Sequence, residues 1–349
     1  MTTEPKRVAS LDDPTVCAAL SDELAGQLGA RNLTLTATRL SGGAIQENWE
    51  LHASVDGGQL QGHQRWVLRT DALSSVSASL GRSQEYAVLR RVVEAGVLAP
   101  KPLLLMEHSP TLRRPYFLME HRSGDAAGHR LTRNAGNAAQ PQRLLEDLAQ
   151  SLARLHQLTP ESADLSFLHV PTLPPTVEAI AHYRRFLDTL TEPQPVLEWG
   201  LRWCELNLQE PLPLRMIHRD FRTGNYLVEQ GRLSAILDWE FASFGDPRED
   251  LGWFSARCWR FAAPECEAGG IGSLNDFLKA YAKAGGVSVS ADELVFWQVL
   301  AHIRWGVIAL QQAQRHLSGQ ERSLELALTG RMLPELEIEI LHLTAGRRS

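Results

Sequence analysis

Four polar residues in one short stretch carry the chemistry this sequence offers. His218, Asp220 and Asn225 lie within HRDFRTGN, and Asp238 follows within ILDWEFASFGDPREDL. A carboxylate and an amide five residues apart let one loop face two ways. Asp220 points towards an acceptor hydroxyl and Asn225 back towards a cation. Asp238 closes the apolar run LSAIL, which holds its carboxylate at a strand end, and such a hard oxygen suits magnesium. Phosphoryl transfer asks little more of a protein. It needs positioning, metal ions on the phosphates, and a carboxylate that orients the attacking hydroxyl.

A bare His-x-Asp-x4-Asn is a weak motif, so its weight comes from the elements around it. Leu214–Ile217 reads as a strand leading into His218. Tyr226–Val228 and Leu233–Leu237 read as a hairpin around Glu229-Gln230-Gly231, and Asp238 sits where that hairpin ends. Upstream, Leu33–Leu40, Trp49–Val55 and Arg65–Arg69 alternate with the period of half-buried strands. Ser83–Glu94 has helical spacing, and Leu103–Met106 and Tyr116–Met119 are further strands. Gly124–Gln140 reads as a loop. Beyond it the pattern turns helical. An apolar stripe runs from Leu144 to Leu155, and helices are expected over Thr176–Leu190, Val196–Leu208, Leu274–Ala284 and Asp292–His316. A strand-rich domain over 1–122 and a helical one over 123–349 follow. The class is α+β.

On the Asp220-centred motifs the chain resembles the aminoglycoside phosphotransferase / choline kinase-like superfamily. It is most similar to the bacterial branch related to the kinase domain linked to some acyl-CoA dehydrogenases, and the likeness spans Leu40 to Leu310. The resemblance implies a two-lobed, protein-kinase-like fold that uses ATP and Mg2+. By it, Asp220 is the catalytic base, His218 orients the loop, Asn225 and Asp238 bind the metal, and Asp250 braces the loop or caps the next helix. Ser41, Gly42 and Gly43 stand where a phosphate-covering loop belongs, although they do not form G-x-G-x-x-G. Arg69 takes the place of the kinase lysine on the third strand and keeps its charge. Glu85 is its expected partner on the following helix. The main chain at Glu120 and His121 is where adenine is read.

The bulk numbers narrow the choice further. Of 349 residues, 44% are hydrophobic and 22% charged, which is a globular composition, and the net charge of -6 carries no basic nucleic-acid footprint. No 18-residue apolar run suggests a membrane span. Four scattered cysteines and a polar N-terminus point to a reducing, cytoplasmic setting. The expected partner is a small-molecule hydroxyl compound. Trp253, Arg257, Trp259 and Arg304 are candidates to line its pocket. With Arg260 and the basic C-terminus, these arginines disfavour an aminoglycoside polycation and favour an acidic or neutral hydroxylated metabolite, such as a hydroxyacyl compound. Two other readings stand beside this one. Arg69 and the atypical glycine loop suit a nucleotide-binding pseudokinase sensor. A protein kinase is the weaker of the two, because no A-P-E segment follows Asp238.

Overall fold

Helix α1 (Pro14–Leu28) begins where the Asp13 side chain accepts the Thr15 N–H and Pro14 takes the first helical position. It ends at Gly29, whose φ of 64° a residue with a side chain resists. Leu20 and Leu24 on its inner face are buried against the first sheet. That sheet has five antiparallel strands: β1 (Asn32–Arg39), β2 (Gln46–Asp56), β3 (Gly62–Asp71), β4 (Pro102–Met106) and β5 (Tyr116–Glu120). Their order is β1-β2-β3-β5-β4. Between β3 and β4 lies α2 (Arg82–Glu94). The period-two alternation sorts the side chains. Trp49, Leu51, Trp66 and Leu68 join the α1 core, while Arg69 and its neighbour Phe117 on β5 meet Glu85 and Tyr86 of α2.

The computed structural model describes residues 10–40, 46–71, 79–133 and 140–345. Two compact units divide it. One comprises Met1–Glu94, Leu98–Ser123 and Leu237–Phe241. The other comprises Ala95–Val97, Gly124–Ile236 and Ala242–Ser349. Residues 237–241 therefore differ from the sequence expectation, which counted them with the C-terminal domain. The physical reason is a set of polar contacts. Arg69 binds Asp238, Gln46 donates to Glu240 at 2.9 Å, and the Leu80 N–H donates to the Glu240 carbonyl.

The second unit contains α3 (Gly128–Thr132), α4 (Gln140–Leu155), α5 (Pro160–Ala163), α6 (Pro175–Leu187) and α7 (Pro195–Leu206). Strand β6 (Arg215–Ile217) leads into His218, and the hairpin follows as β7 (Tyr226–Glu229) and β8 (Arg232–Ile236). A 3-10 turn, Trp239–Phe241, belongs to the first unit, after which β9 (Ser243–Gly245) pairs with β6. Next come α8 (Arg248–Ser255), a 3-10 turn at Arg257–Trp259, α9 (Leu274–Lys283), α10 (Leu294–Leu317), α11 (Leu324–Gly330) and α12 (Leu333–Ala345). The stretch expected to be a loop over 124–140 holds α3, and residues 134–139 lie outside the described residues. Gly252 lets α8 lie flat on α10, because a side-chain carbon there would collide with Trp297.

Helix α10 is long and apolar enough to cross a membrane by length and composition, yet most of its apolar stretch is buried inside the protein. One of its buried groups titrates. His302 bonds through Nδ1 to the Gln298 carbonyl, and burial, aided by Arg260 and Arg257, lowers its pKa to about 4. In the unfolded chain it titrates near 6.5. Between those values the unfolded state binds more protons. The stability His302 contributes is therefore complete above pH 6.5 and drains away as the pH falls towards 4, by about 3 kcal/mol. Chemical denaturation at pH 7 and pH 4.5 should show His302→Phe losing less stability than the parent. An identical loss would assign the acid sensitivity elsewhere.

Candidate active site

In the first unit the site is a buried cluster of charges around Arg69. Only 5% of its side chain is exposed. Nε lies 2.9 Å from a Glu85 carboxylate oxygen, Nη1 2.9 Å from Asp238 Oδ1, and Nη2 4.0 Å from Glu240 Oε1. Burial works against the guanidinium charge, but Glu85, Asp238 and Glu240 outweigh it and raise the Arg69 pKa. Glu240 shows the opposite balance. Burial, exceeding the pull of Arg69 and the Gln46 hydrogen bond, raises its pKa above the ordinary carboxyl value. Arg82, fully buried, bridges Glu85 and Asp71. The expected Arg69–Glu85 ion pair is present. Arg82, Glu240 and Gln46 complete its surroundings and were not anticipated. Arg69 Nη2 is buried with no hydrogen-bond partner among the described residues.

Asp238 follows β8 by two residues and has a φ of 58°, a left-handed conformation that Asp tolerates better than most side chains. Oδ1 is committed to Arg69, while Oδ2 has no hydrogen-bond partner among the described residues. At the end of the interior strand β5, the Glu120 and His121 N–H groups donate to the carbonyls of Lys101 and Arg65. Ser41, Gly42 and Gly43 lie outside the described residues.

In the second unit the loop that carries Asp220 is built on Asp250. This carboxylate is fully buried at the start of α8 and accepts the N–H of His218 at 2.7 Å and of Arg219 at 2.8 Å. His156 also reaches it, at 3.1 Å, and bonds Tyr281 through its other ring nitrogen. Burial pushes the Asp250 pKa up, but His156 and the His218 contacts more than offset it, and the pKa is lowered overall. His218 is itself buried, and its Nδ1 accepts the Asp220 N–H at 3.1 Å. Both His218 and Asp250 thus hold the loop. Arg219, between them and Asp220, has a φ of 64°.

Every oxygen of the Asp220 carboxylate is addressed. Oδ1 accepts from Arg222 Nε at 3.1 Å and from the Trp253 indole at 2.9 Å, and Oδ2 accepts from the Asn225 side-chain amide. Asn225 also donates to the Asp220 carbonyl at 3.0 Å. Its amide oxygen is left as a hard donor with no partner among the described residues, as Asp238 Oδ2 is in the first unit. Both are oxygens of the kind magnesium prefers, so the donor chemistry fits that ion.

The four candidate pocket residues separate. Trp253 touches Asp220, and Trp259 lies under the Arg222 guanidinium at 4.5 Å. Arg304 stacks on Trp253 at 4.5 Å and donates to the Arg219 carbonyl. Arg257 instead has Glu339 as its ion-pair partner, 3.8 Å away. Arg260 is spent on the carbonyls of Ser255 and Pro264. Thus the arginines that suggested an acidic acceptor are largely engaged within the protein. The guanidinium beside Asp220 is Arg222, which was missed. Its offset of two from the aspartate is the only signal that marks it.

Human acyl-CoA dehydrogenase family member 11 is 25% identical over 331 residues, covering 89% of this chain. The chain spans 40% of the length of that relative. A solved Ralstonia eutropha protein, assigned only provisionally to the aminoglycoside phosphotransferases, superposes with a TM-score of 0.73 at 18% identity, covering 95% of this chain and 99% of the other. A spectinomycin phosphotransferase solved with ADP and spectinomycin superposes with a TM-score of 0.61 at 13% identity, covering 93% and 98%. These likenesses establish the α+β, protein-kinase-like fold. The family model of the phosphotransferase enzymes, APH, matches residues 36–289 and takes in both the Arg69 cluster and the Asp220 loop. The chain belongs to the phosphotransferase enzyme family.

Proposed function

We propose that the chain is an ATP- and Mg2+-dependent phosphotransferase that moves the γ-phosphoryl group of ATP to a hydroxyl of a small molecule. The observation that carries this reading is the Asp220 carboxylate, held by Arg222, Trp253 and Asn225 on a loop anchored to a buried Asp250. Asp220 orients the acceptor hydroxyl and receives its proton. Arg69, fixed by Glu85, offers its unpartnered Nη2 to a phosphate oxygen. Glu120 and His121 read adenine through main-chain carbonyls, their N–H groups being spent in the sheet. Asn225 and Asp238 keep the metal-directed roles that their free oxygens suit. Bound magnesium supplies neutralisation of phosphate charge. The spectinomycin phosphotransferase, solved with ADP and its acceptor, supports a nucleotide and a small-molecule partner here.

For the acceptor, a neutral or acidic hydroxylated metabolite is favoured over a polycation. Arg222 beside Asp220 would repel an amino sugar brought to the same carboxylate. A cytoplasmic setting accords with this substrate class. ADP release measured with ATP and Mg2+ across hydroxy acids, sugars, amino alcohols and kanamycin tests the reading. Stimulation is expected from neutral or anionic alcohols. Tight ATP binding with no stimulation by any compound would favour the sensor reading, and efficient kanamycin turnover would overturn the acceptor class.

A further inference from the structure

The two donors on Asp220 Oδ1 have different origins. Arg222 lies on the same loop, whereas Trp253 comes from α8, 33 residues further along. We propose that Trp253 is a positioning residue which, by occupying Oδ1, directs the acceptor hydroxyl to Oδ2. The inference rests on the reading of Asp220 as the group that receives the acceptor proton.

The count of lone pairs carries the argument. An ionised carboxylate has about four acceptor sites, two on each oxygen. Arg222 and Trp253 fill both on Oδ1, and Asn225 fills one on Oδ2. The site left for a hydroxyl is on Oδ2. As the acceptor oxygen bonds to the γ-phosphorus and the bond to the β-phosphate oxygen breaks, the hydroxyl proton passes to Oδ2, and ADP departs with the bonding pair. Without the indole, Oδ1 would regain a free site. The carboxylate could then present either oxygen, and the hydroxyl would lose its single approach.

Trp253 is built to hold that place. Its ring is 2% exposed and packs on Trp259 at 5.1 Å and Trp305 at 6.4 Å, with the Arg304 guanidinium 4.5 Å from its centroid. Arg304 also binds the carbonyl of Arg219, the residue before Asp220 and one in a left-handed conformation. One stack therefore grips the catalytic loop twice, by the Arg219 carbonyl and by the Asp220 side chain. The close approach of α8 and α10 at Gly252 brings the two halves of the stack together.

Trp253→Phe keeps the ring that its neighbours pack against and removes only the N–H. Turnover should fall roughly 10-fold, the cost of a hydrogen bond to a charged group, while KM for ATP stays unchanged. In an Asp220→Ala background the same substitution should have no further effect on residual turnover, because the indole acts through that carboxylate. An unchanged kcat, or an equal loss in both backgrounds, would overturn the proposal in favour of plain packing. The hydrogen bond can also be read without activity. The Trp253 indole N–H resonance, identified by its loss in Trp253→Phe, should shift upfield and exchange faster in Asp220→Ala. A resonance that stays put would overturn the proposal by itself. A wild-type protein that turns over no ATP but shows the expected shift would instead sink the phosphotransferase reading and leave the contact standing.

Discussion

Asp220→Ala should cut phosphoryl transfer by roughly 10²–10⁴-fold, the range for removing a general base, while ATP still binds within a few fold of wild type. The reason lies in what the carboxylate touches. Its partners Arg222, Trp253 and Asn225 all belong to the Asp220 loop and its support, and Arg69, the guanidinium proposed to hold the phosphates, is not among them. Steady-state turnover and calorimetric titration with a non-hydrolysable ATP analogue check the two halves. Alanine strands three donors, so a second variant is needed to separate chemistry from disorder. Asp220→Asn keeps the shape and an acceptor oxygen for the indole, yet cannot take up the acceptor proton. Its new amide nitrogen faces the Asn225 side-chain N–H, so it should be nearly as inactive as alanine with a melting temperature lowered less than by alanine. Loss of nucleotide binding in either folded variant would contradict the assignment of Asp220 to the acceptor side.

Arg69→Met should destabilise the protein by about 3–5 kcal/mol, the usual consequence of removing one partner from a buried ion cluster. Three carboxylates, Glu85, Asp238 and Glu240, surround this guanidinium, and Glu85 and Glu240 are themselves buried. Without Arg69 only Arg82 remains to balance Glu85. Denaturant titration should therefore show part of the loss restored when Glu85→Gln is added, since one of the opposed charges has gone. Two losses that simply add would mean the cluster is not the origin of the effect. Arg69→Lys should fall between. A single ammonium keeps the charge, but it lacks the planar fork that reaches Glu85 with Nε and Asp238 with Nη1. This fork also explains why arginine stands where a lysine was expected, because it joins a strand, a helix and the segment after β8 in one side chain.

What the sequence made legible was local in character. Strands β1, β2 and β3 show period-two alternation, while β4, β5 and the hairpin of β7 and β8 stand out as short apolar runs bounded by turn residues. Arg69 and Glu85 could be paired because each sits on a recognisable element, only 16 residues apart. Contacts set by tertiary packing left no comparable trace. Gln46 and Glu240 are 194 residues apart, and nothing in either neighbourhood marks them as partners. Strand β9 is three residues long and exists because β6 supplies its hydrogen bonds. Trp253 was visible as an aromatic near the site but not as a donor to Asp220, since that role depends on how α8 lies against α10. The arginines illustrate the converse. Arg257, Arg260 and Arg304 are conspicuous as charges, and only the fold shows that their charges are already engaged, leaving Arg222 as the guanidinium beside the carboxylate.

The central claim is that this chain moves a phosphoryl group rather than merely holding a nucleotide. Phosphorus NMR of the wild-type protein with ATP, Mg2+ and a mixture of neutral and anionic alcohols tests it directly. The account predicts a new phosphate monoester signal that grows in step with ADP and is absent with Asp220→Asn. ATP that binds tightly and stays intact, or ADP that appears equally fast with Asp220→Asn, would contradict it.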